Sequence, residues 1–199
     1  MDDTPRRPMR ADARRNYERL LAEAEALIAE RGTGASLEEI AKRADVGIGT
    51  LYRHFPTREA LLETLLRERF DALGARATGL LDAPDPLDAL LEWLRAFTRG
   101  TRVYQGLAES MLAALRDEES ELYASCHGMR DAGRALLVRA QRAGTVRADL
   151  TALDMFVLAN AIAWAAEALP EDAGIGERFL TFLVEGIRLG DAGAGQGAR

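Results

Sequence analysis

The side chains best suited to chemistry in this sequence lie in one short segment. Thr50, Tyr52, Arg53 and His54 fall within five residues, and Arg58 follows four residues later. Hydroxyl, guanidinium and imidazole groups of this kind donate hydrogen bonds to phosphate oxygens and to the edges of bases. The segment therefore predicts contact with nucleic acid rather than catalysis.

Residues that would support other chemistry are few or scattered. The chain has two histidines, His54 and His127, and one cysteine, Cys126. Structural zinc takes four ligands, and neighbours on a helix do not face one metal, so we expect no metal site. No glycine-rich loop follows a strand, and the carboxylates are spread over helix faces. We therefore expect no cofactor and no enzyme.

Two short helices joined by a tight turn should position the nucleic-acid-binding side chains. Residues 36–39, Ser-Leu-Glu-Glu, have the pattern of a capping box and begin the first helix. Residues 45–47, Asp-Val-Gly, predict the turn. The second helix should run from about Gly47 to His54, because Pro56 disfavours helical geometry in the residue before it. This is the arrangement of a helix-turn-helix, whose second helix enters the major groove of DNA.

The second short helix has a core side and an outward side. If Leu51 faces the core, then Gly49 and Arg53 point away from it, with Thr50 and Tyr52 on the flanks. Such a face stabilises a short helix poorly but permits a close approach to DNA.

Residues 37–62 resemble the DNA-binding motif of the TetR family of bacterial regulators, and the similarity covers roughly the first 65 residues. It rests on Ile40-Ala41, on Thr50-Leu51-Tyr52 and on the run from His54 to Leu61. The resemblance implies an all-α fold, in which an N-terminal three-helix helix-turn-helix domain is joined to a C-terminal helical bundle that dimerises. It also implies a transcriptional regulator, most simply a repressor that a small-molecule effector releases from its operator.

The resemblance assigns contacts to individual residues. Thr50 and Tyr52 match positions that usually touch DNA, Tyr52 through a phosphate. His54 and Arg58 match positions that contact phosphates. Ser36 matches the start of the first short helix, whose N–H groups also favour an adjacent phosphate on general grounds.

The sequence departs from the family pattern in the turn. Asp45 stands where the family usually has glycine, and aspartate tolerates left-handed backbone better than most residues. Gly47 stands in place of the more usual serine. Because glycine has no side chain, base recognition falls to Ile48, through a thymine methyl group, and to Thr50 and Arg53. DNA shape should supply part of the specificity.

The charge distribution also favours the N-terminal end of the chain as the part that contacts nucleic acid. The 199-residue chain has a net charge of −6, yet residues 1–60 hold 11 basic and 11 acidic residues. A polyanion should therefore meet the N-terminal end, where six arginines lie between Arg6 and Arg19. The Arg6-Arg7 arm is either a minor-groove contact or a disordered arm without a specific role.

The sequence predicts a cytoplasmic protein that does not enter a membrane. Its longest nearly apolar run, Met155 to Ala166, is shorter than the roughly 20 residues of a membrane span. The first 15 residues lack the apolar core of a secretory signal. A single cysteine fits a reducing compartment.

Apolar residues recur at helical spacing along nearly the whole chain. We predict a helix from about Ala13 to Arg31 with Asp12 as its N-cap, and another that Thr57 caps. Further helices are expected at about 86–99, 102–117, 120–143, 152–168 and 174–189. The expected domains are a DNA-binding domain at 1–56, a sensing and dimerisation domain at 57–190, and a disordered tail at 191–199.

The helix at 152–168 is apolar almost all round, so it must be covered on two sides. We expect the domain core to cover one side and a second copy of the chain the other. A matching stripe in the last helix would complete a four-helix, two-fold interface. The stripe consists of Phe179, Leu180, Leu183, Val184 and Ile187, and the small residues expected to allow close approach are Ala159, Ala163 and Ala166.

The middle helices and the 152–168 helix could enclose an effector site. The residues predicted to line it are mostly aromatic or apolar, with two polar groups to orient a ligand: Trp93, Phe97, Met111, His127, Met129, Asn160 and Trp164. The expected effector is small, largely apolar, and neutral or weakly polar. A closed core is the alternative. For Asn160, a bond to neighbouring backbone or to a dimer partner is as plausible as a ligand contact.

Two other function classes remain open at this point. One is a helical enzyme whose N-terminus only resembles a DNA-binding motif, and the other is a protein-interaction bundle that does not bind DNA. Against the enzyme, catalysis gives no reason to place Thr50, Tyr52 and Arg53 outward beside Arg58 and an arginine-rich first helix.

Overall fold

A computed structural model describes residues 6–32, 34–99, 113–169 and 174–188. Across these ranges the secondary structure consists of eight α-helices, so the predicted all-α class is confirmed. The helices are α1 (Arg6–Arg31), α2 (Leu37–Arg43), α3 (Ile48–His54), α4 (Arg58–Leu80), α5 (Pro86–Thr98), α6 (Glu121–Arg142), α7 (Ala152–Ala168) and α8 (Ile175–Ile187). The predicted helix at 102–117 and the predicted disordered tail lie largely or wholly outside the described residues.

The first helix begins earlier than the sequence predicts. α1 starts at Arg6 and runs through Asp12, which is therefore not an N-cap. The Asp12 carboxylate instead pairs with Arg15 in the next turn of the helix. α1 ends as predicted, because Gly32 adopts a φ of +75° and its N–H donates to the Ile28 carbonyl oxygen at 2.7 Å.

The chain divides into two compact units, with one boundary inside α4 between Glu68 and Arg69 and another inside α6 between Tyr123 and Ala124. The first unit holds α1, α2, α3 and the beginnings of α4 and α6. Its core consists of apolar residues that recur every three or four positions, the spacing that places them on one helix face. The most deeply buried are Leu20, Leu27, Ile28, Ile40, Leu51, Phe55, Leu61 and Leu66.

The second unit is built around Trp93, where α5 packs against both α7 and α8. Trp93 is fully buried, and its indole N–H donates to the Leu73 carbonyl oxygen at 2.9 Å. The ring lies against Gly133, where a β-carbon would come within 2.5 Å of it. Glycine is therefore required at 133 by packing rather than by backbone conformation.

Two helices of the second unit start at well-formed caps. Asp85 caps α5 by accepting from the N–H groups of Leu87 and Asp88, at 2.8 and 3.0 Å. Thr151 and Asp154 form a reciprocal capping box at the start of α7. The sequence analysis did not identify this box, because aspartate takes the place of the usual glutamate.

Candidate nucleic-acid interface

The turn between α2 and α3 has the geometry that its sequence predicts. Asp45 adopts a φ of +52°, in the left-handed region. The Val46 N–H donates to the Ala41 carbonyl oxygen at 2.9 Å, which closes the turn. From α1, the Arg19 guanidinium reaches the Asp45 carbonyl oxygen at 3.5 Å and its carboxylate at 3.9 Å. The turn is thus tied to the first helix.

Ser36 caps α2, but the predicted capping box forms only in part. Its hydroxyl oxygen accepts from the Glu39 N–H at 3.4 Å and donates to the Glu38 carboxylate at 2.6 Å. The Glu39 carboxylate does not reach back to Ser36, because it lies 2.6 Å from Arg31 and 3.6 Å from Arg43. The reciprocal half of the prediction is therefore wrong.

A second ion pair fixes α2 against α1. Both terminal nitrogens of Arg43 donate to the Glu30 carboxylate, at 3.0 and 2.8 Å. The hydrogen bond from Arg43 lowers the pKa of Glu30 below its ordinary value, so this carboxylate is ionised at neutral pH. A planar fork of this kind sets orientation as well as distance.

α3 has the two faces that the helical wheel predicts. Leu51 is fully buried, whereas Gly49 and Arg53 are exposed. Ile48 and Tyr52 are among the largest exposed apolar side chains of the described residues, at 40% and 44% exposure. An exposed, partly apolar face on so short a helix is typical of a surface that contacts a partner.

His54 ends α3 and is half-buried. Its ring lies edge-on to the Tyr17 ring, with centroids 5.6 Å apart, and Tyr17 also stacks on Phe55 at 5.5 Å. Burial is the largest of the causes that raise the pKa of the Tyr17 phenol above its ordinary value. The sequence analysis placed Tyr17 only on the apolar stripe of α1 and did not foresee that it holds the end of α3.

Arg58 is the first residue of α4 and is half-buried. Thr57 precedes it and caps the helix as predicted, since its hydroxyl oxygen accepts from the Ala60 N–H at 3.1 Å. All eight residues predicted to contact DNA therefore lie in the first unit, on α3 or at the start of α2 and α4: Ser36, Gly47, Ile48, Thr50, Tyr52, Arg53, His54 and Arg58.

Comparison with known proteins agrees with this geometry. Residues 20–65 match the family described as bacterial regulatory proteins of the tetR family. Residues 85–189, more than half of the chain, match the C-terminal domain described as transcriptional regulator SbtR-like. The chain belongs to the TetR family. This TetR-family protein is a transcriptional regulator of the helix-turn-helix type.

Three relatives illustrate the similarity. A TetR transcriptional regulator of Streptomyces coelicolor is 35% identical, with a TM-score of 0.69 over 86% of this chain and 97% of its own. The HTH-type transcriptional repressor KstR of Rhodococcus jostii is 25% identical over 77% of this chain and 75% of its own. The ketosteroid transcriptional regulator KstR2 of Mycobacterium tuberculosis is 26% identical, with a TM-score of 0.61 over 89% and 96% of the two chains.

Only part of the predicted effector site comes together in this TetR-family regulator. Trp93 stacks on Phe97 at 5.4 Å, and both rings lie edge-on to Phe156, at 5.8 and 5.6 Å. We call these three residues the aromatic cluster. Arg130 covers one side of it, with its guanidinium carbon 5.7 Å from the Phe156 ring centre. The residues predicted to line the site include neither Phe156 nor Arg130.

The other predicted lining residues lie elsewhere. Met129 is buried beside Gly74, where α6 and α4 approach closely. His127 is exposed on α6, and Trp164 is 64% exposed on α7. Met111 lies outside the described residues.

Asn160 is not the buried amide that the apolar sequence around it suggests. It is exposed on α7, and its amide nitrogen donates to the Phe156 carbonyl oxygen at 2.9 Å. Of the alternatives weighed from sequence, the structure therefore shows the bond to neighbouring backbone.

α7 has one buried face and one exposed apolar face. Met155, Phe156, Ala159 and Ala163 are buried in the second unit. The opposite face carries side chains that are more than half exposed, and α8 adds another: Leu153, Val157, Trp164 and Phe182. We call these four residues the apolar face.

The small residues of α7 serve a different purpose from the one predicted. Ala159 and Ala163 are buried in the chain's own core, and Ala166 lies where a β-carbon at Gly176 of α8 would meet it at 3.2 Å. Ala166 therefore lies where α7 approaches α8 within one chain. The prediction that Ala159 and Ala163 face a partner subunit is wrong, because both are buried in this chain's own core.

Two properties of the described residues complete the description. None of the helices found there is both long and apolar enough to cross a membrane. In the same residues, no three His, Cys, Asp or Glu side chains are grouped closely enough to hold a metal ion.

Proposed function

We propose that this TetR-family regulator acts in the cytoplasm as a homodimer, binds a double-stranded operator, and is released from it by a small, largely apolar effector. In this proposal, residues 1–56 form the DNA-binding domain and residues 57–190 the sensing and dimerisation domain. The observation that carries DNA binding is the exposed face of α3. Gly49, Tyr52 and Arg53 are exposed on this helix, and the buried Leu51 anchors its other side in the core.

The side chains around α3 divide into two roles. Tyr52, His54 and Arg58 are suited to phosphate oxygens, which position the protein without sequence preference. Ile48, Thr50 and Arg53 are suited to base edges, through a methyl contact, a hydroxyl and a guanidinium fork. Ser36 and Gly47, at the starts of α2 and α3, place backbone N–H groups where a phosphate could accept from them.

The operator is found by letting the purified protein select fragments from genomic DNA and sequencing those that it retains. The expected result is a set of fragments sharing a two-fold symmetric sequence, whose binding weakens steeply as salt is raised. Failure to select any fragment, together with no retention on mixed-sequence DNA at low salt, would exclude DNA binding and favour the interaction-bundle hypothesis.

A homodimer is supported by the apolar face. Four large apolar side chains, each at least 58% exposed, lie on two adjacent helices, and large exposed apolar surfaces on soluble proteins are often covered by a partner. A second copy of the same surface would cover it with two-fold symmetry and form a four-helix interface. On α8 this interface would use Phe182 rather than the predicted stripe, in which Leu180 and Ile187 are buried in this chain.

An apolar effector is supported by the aromatic cluster. Trp93, Phe97 and Phe156 present ring surface to one another, and Arg130 adds a donor beside Phe156. The relative KstR2 is described as a ketosteroid regulator, which agrees with this class of ligand. α4 is one continuous helix from Arg58 to Leu80, so a shift at its far end would reach the phosphate contact at its start.

Effector binding is tested by adding a series of neutral ketosteroids and simple phenols to the complex with its selected DNA. Release of DNA at micromolar ligand, abolished by Phe156→Ala but preserved in Trp164→Phe, would support a site at the aromatic cluster. If no neutral apolar compound releases DNA but charged metabolites do, the effector assignment is wrong while DNA binding stands.

A further inference from the structure

Gly49 occupies the exposed face of α3, and nothing in the described fold requires glycine there. Its backbone is ordinary right-handed helix, and a β-carbon built on it meets no atom within 4 Å. Two other glycines have evident reasons: Gly32 adopts a positive φ, and Gly133 makes room for the Trp93 ring. Gly49 has neither reason. The helical glycines Gly79, Gly128 and Gly186 resemble Gly49, with no positive φ and open space at the β-carbon.

Glycine at this position weakens the helix that carries it. It loses more backbone freedom on folding than any other residue, and only proline is a poorer helix former. α3 has seven residues, so it gains little stability from its own hydrogen bonds. Open space alone does not distinguish Gly49 from those glycines, but its place on the exposed face of the proposed DNA-contacting helix does.

The neighbours of Gly49 indicate what approaches. Residues three and four positions further along a helix lie on the same face, so Tyr52 and Arg53 flank Gly49, and Ile48 lies beside it. All three are exposed. Gly49 therefore forms a notch in an exposed ridge of donor and apolar side chains.

We propose that Gly49 is a specificity-determining position, at which the α3 backbone lies against base edges in the major groove, closer than a β-carbon permits. This inference rests on the proposed function. With the notch in contact with the bases, Ile48 and Arg53 reach base edges at bonding distance. A methyl group at residue 49 holds the whole helix away, and hydrogen bonds weaken quickly once donor and acceptor separate beyond about 3.2 Å.

The consequence differs between specific and non-specific binding. Contacts to phosphates are largely electrostatic and tolerate a small outward displacement of the helix. Contacts to base edges need direct fit. A β-carbon at residue 49 therefore lowers affinity for the operator much more than affinity for mixed-sequence DNA.

The test compares Gly49→Ala with Gly128→Ala. Gly128 is an exposed glycine of α6 whose β-carbon would likewise meet nothing within 4 Å, and it has no part in the proposed interface. Both variants should raise the Tm of the full-length protein by about 1–4 °C, because both replace glycine by a better helix former. The probes are the duplex that the wild-type protein selects and a scrambled duplex of equal length and composition.

We expect Gly49→Ala to bind the selected duplex about tenfold more weakly or worse, which is the loss typical of a disrupted base contact, and to bind the scrambled duplex within about twofold of the wild type. Gly128→Ala should bind both duplexes as the wild type does. The inference is overturned if Gly49→Ala binds the selected duplex normally, if it loses both duplexes equally, or if its Tm falls. A wild-type protein that selects no duplex overturns the proposed function and this inference together, whereas normal binding by Gly49→Ala overturns the inference alone.

Discussion

The Tyr17 ring on α1 meets the His54 ring at the end of α3 edge-on, with centroids 5.6 Å apart. Because Tyr17 also stacks on Phe55, one side chain of the first helix fixes the last turn of the helix proposed to enter the major groove. The Tyr17–His54 contact stabilises the fold, and His54 is also proposed to contact a phosphate. Removing the Tyr17 ring should therefore lower stability and DNA affinity together.

Tyr17→Ala should lower the free energy of unfolding by about 1–3 kcal/mol, since it removes two aromatic contacts. It should also weaken binding to selected and scrambled DNA by similar factors, because His54 is proposed to contact phosphate. Tyr17→Phe keeps both rings and is the control, with near wild-type DNA affinity. Thermal unfolding and fluorescence anisotropy measure the two effects. Loss of affinity for the selected duplex alone would show that Tyr17 acts on base recognition instead.

Arg58→Ala should weaken binding to all DNA sequences and reduce the slope of log affinity against log salt by about one, as expected for one lost phosphate contact. Tyr52→Phe should also weaken all sequences about equally. Arg53→Ala and Thr50→Ala should instead change the preferred sequence. Titrations at several salt concentrations separate the two groups. Unchanged affinity in both Arg58→Ala and Tyr52→Phe would show that this face of the protein is wrongly assigned.

The selected operator should contain two half-sites about 34–36 Å apart, or a multiple of one helical turn, on one face of the duplex. Footprinting of the wild-type protein measures this spacing. A single, unpaired site would contradict binding by a two-fold dimer.

Trp164→Glu should convert the proposed dimer into a monomer at micromolar concentration, because it places a charge within the apolar face. Ala143→Glu, an exposed position after the end of α6, is the matched control and should remain dimeric. Light scattering coupled to size exclusion measures both. A monomeric wild-type protein under these conditions would exclude the proposed interface.

Gly133→Ala should destabilise the second unit by about 1–3 kcal/mol, because its β-carbon would lie 2.5 Å from the Trp93 ring and force repacking. Gly128→Ala lies one and a half turns earlier on α6 and should stabilise instead. Denaturant unfolding of both variants tests the packing. Equal stability of the two would mean that Trp93 has room to move.

Thr151→Ala should lower stability by about 1 kcal/mol, through loss of the cap on α7. The Thr151 hydroxyl and N–H donate to the Asp154 carboxylate at 2.6 and 3.0 Å and hold the pKa of that carboxyl below its ordinary value of 3.8. A depressed pKa stabilises the fold above the ordinary value, and this stabilisation is lost as pH falls through the folded pKa. The Tm difference between wild type and Asp154→Asn should therefore shrink below pH 3.8.

Thr57→Ala supplies the control for that pH dependence. Thr57 caps α4 through the Ala60 N–H, so the cap itself does not require a carboxylate. The Tm difference between the wild type and Thr57→Ala should stay nearly constant over the same pH range. If the Tm differences of Thr57→Ala and Asp154→Asn change with pH in the same way, the Asp154 carboxylate does not contribute to the cap.

Local sequence signals account for most of the described helices and for the candidate DNA-binding face. Periodic apolar residues specify which side of a helix is buried, and Pro56, Gly32 and the cap at Thr57 specify where helices stop and start. These are local effects, which act through backbone geometry within a few residues. The turn at Asp45 and the inward Leu51 followed for the same reason, and with them the outward face of α3.

Which side chains meet across helices depends instead on how the helices pack. The tertiary structure placed Tyr17 behind His54, drew the Glu39 carboxylate away from Ser36 to two arginines, and put Arg130 over Phe156. The spacing of apolar residues along the chain does not indicate which of these side chains come into contact. Their distances depend on how the helices pack.

The same reason explains the mistaken predictions on α7. An almost wholly apolar helix gives no indication of which residues face its own core, so the sequence assigns its small residues to a partner and leaves Asn160 open between neighbouring backbone, a partner and a ligand. Packing of α7 against α5 and α8 buries Met155, Phe156, Ala159 and Ala163, and Ala166 lies close to Gly176 of α8. Asn160 and Trp164 are left exposed.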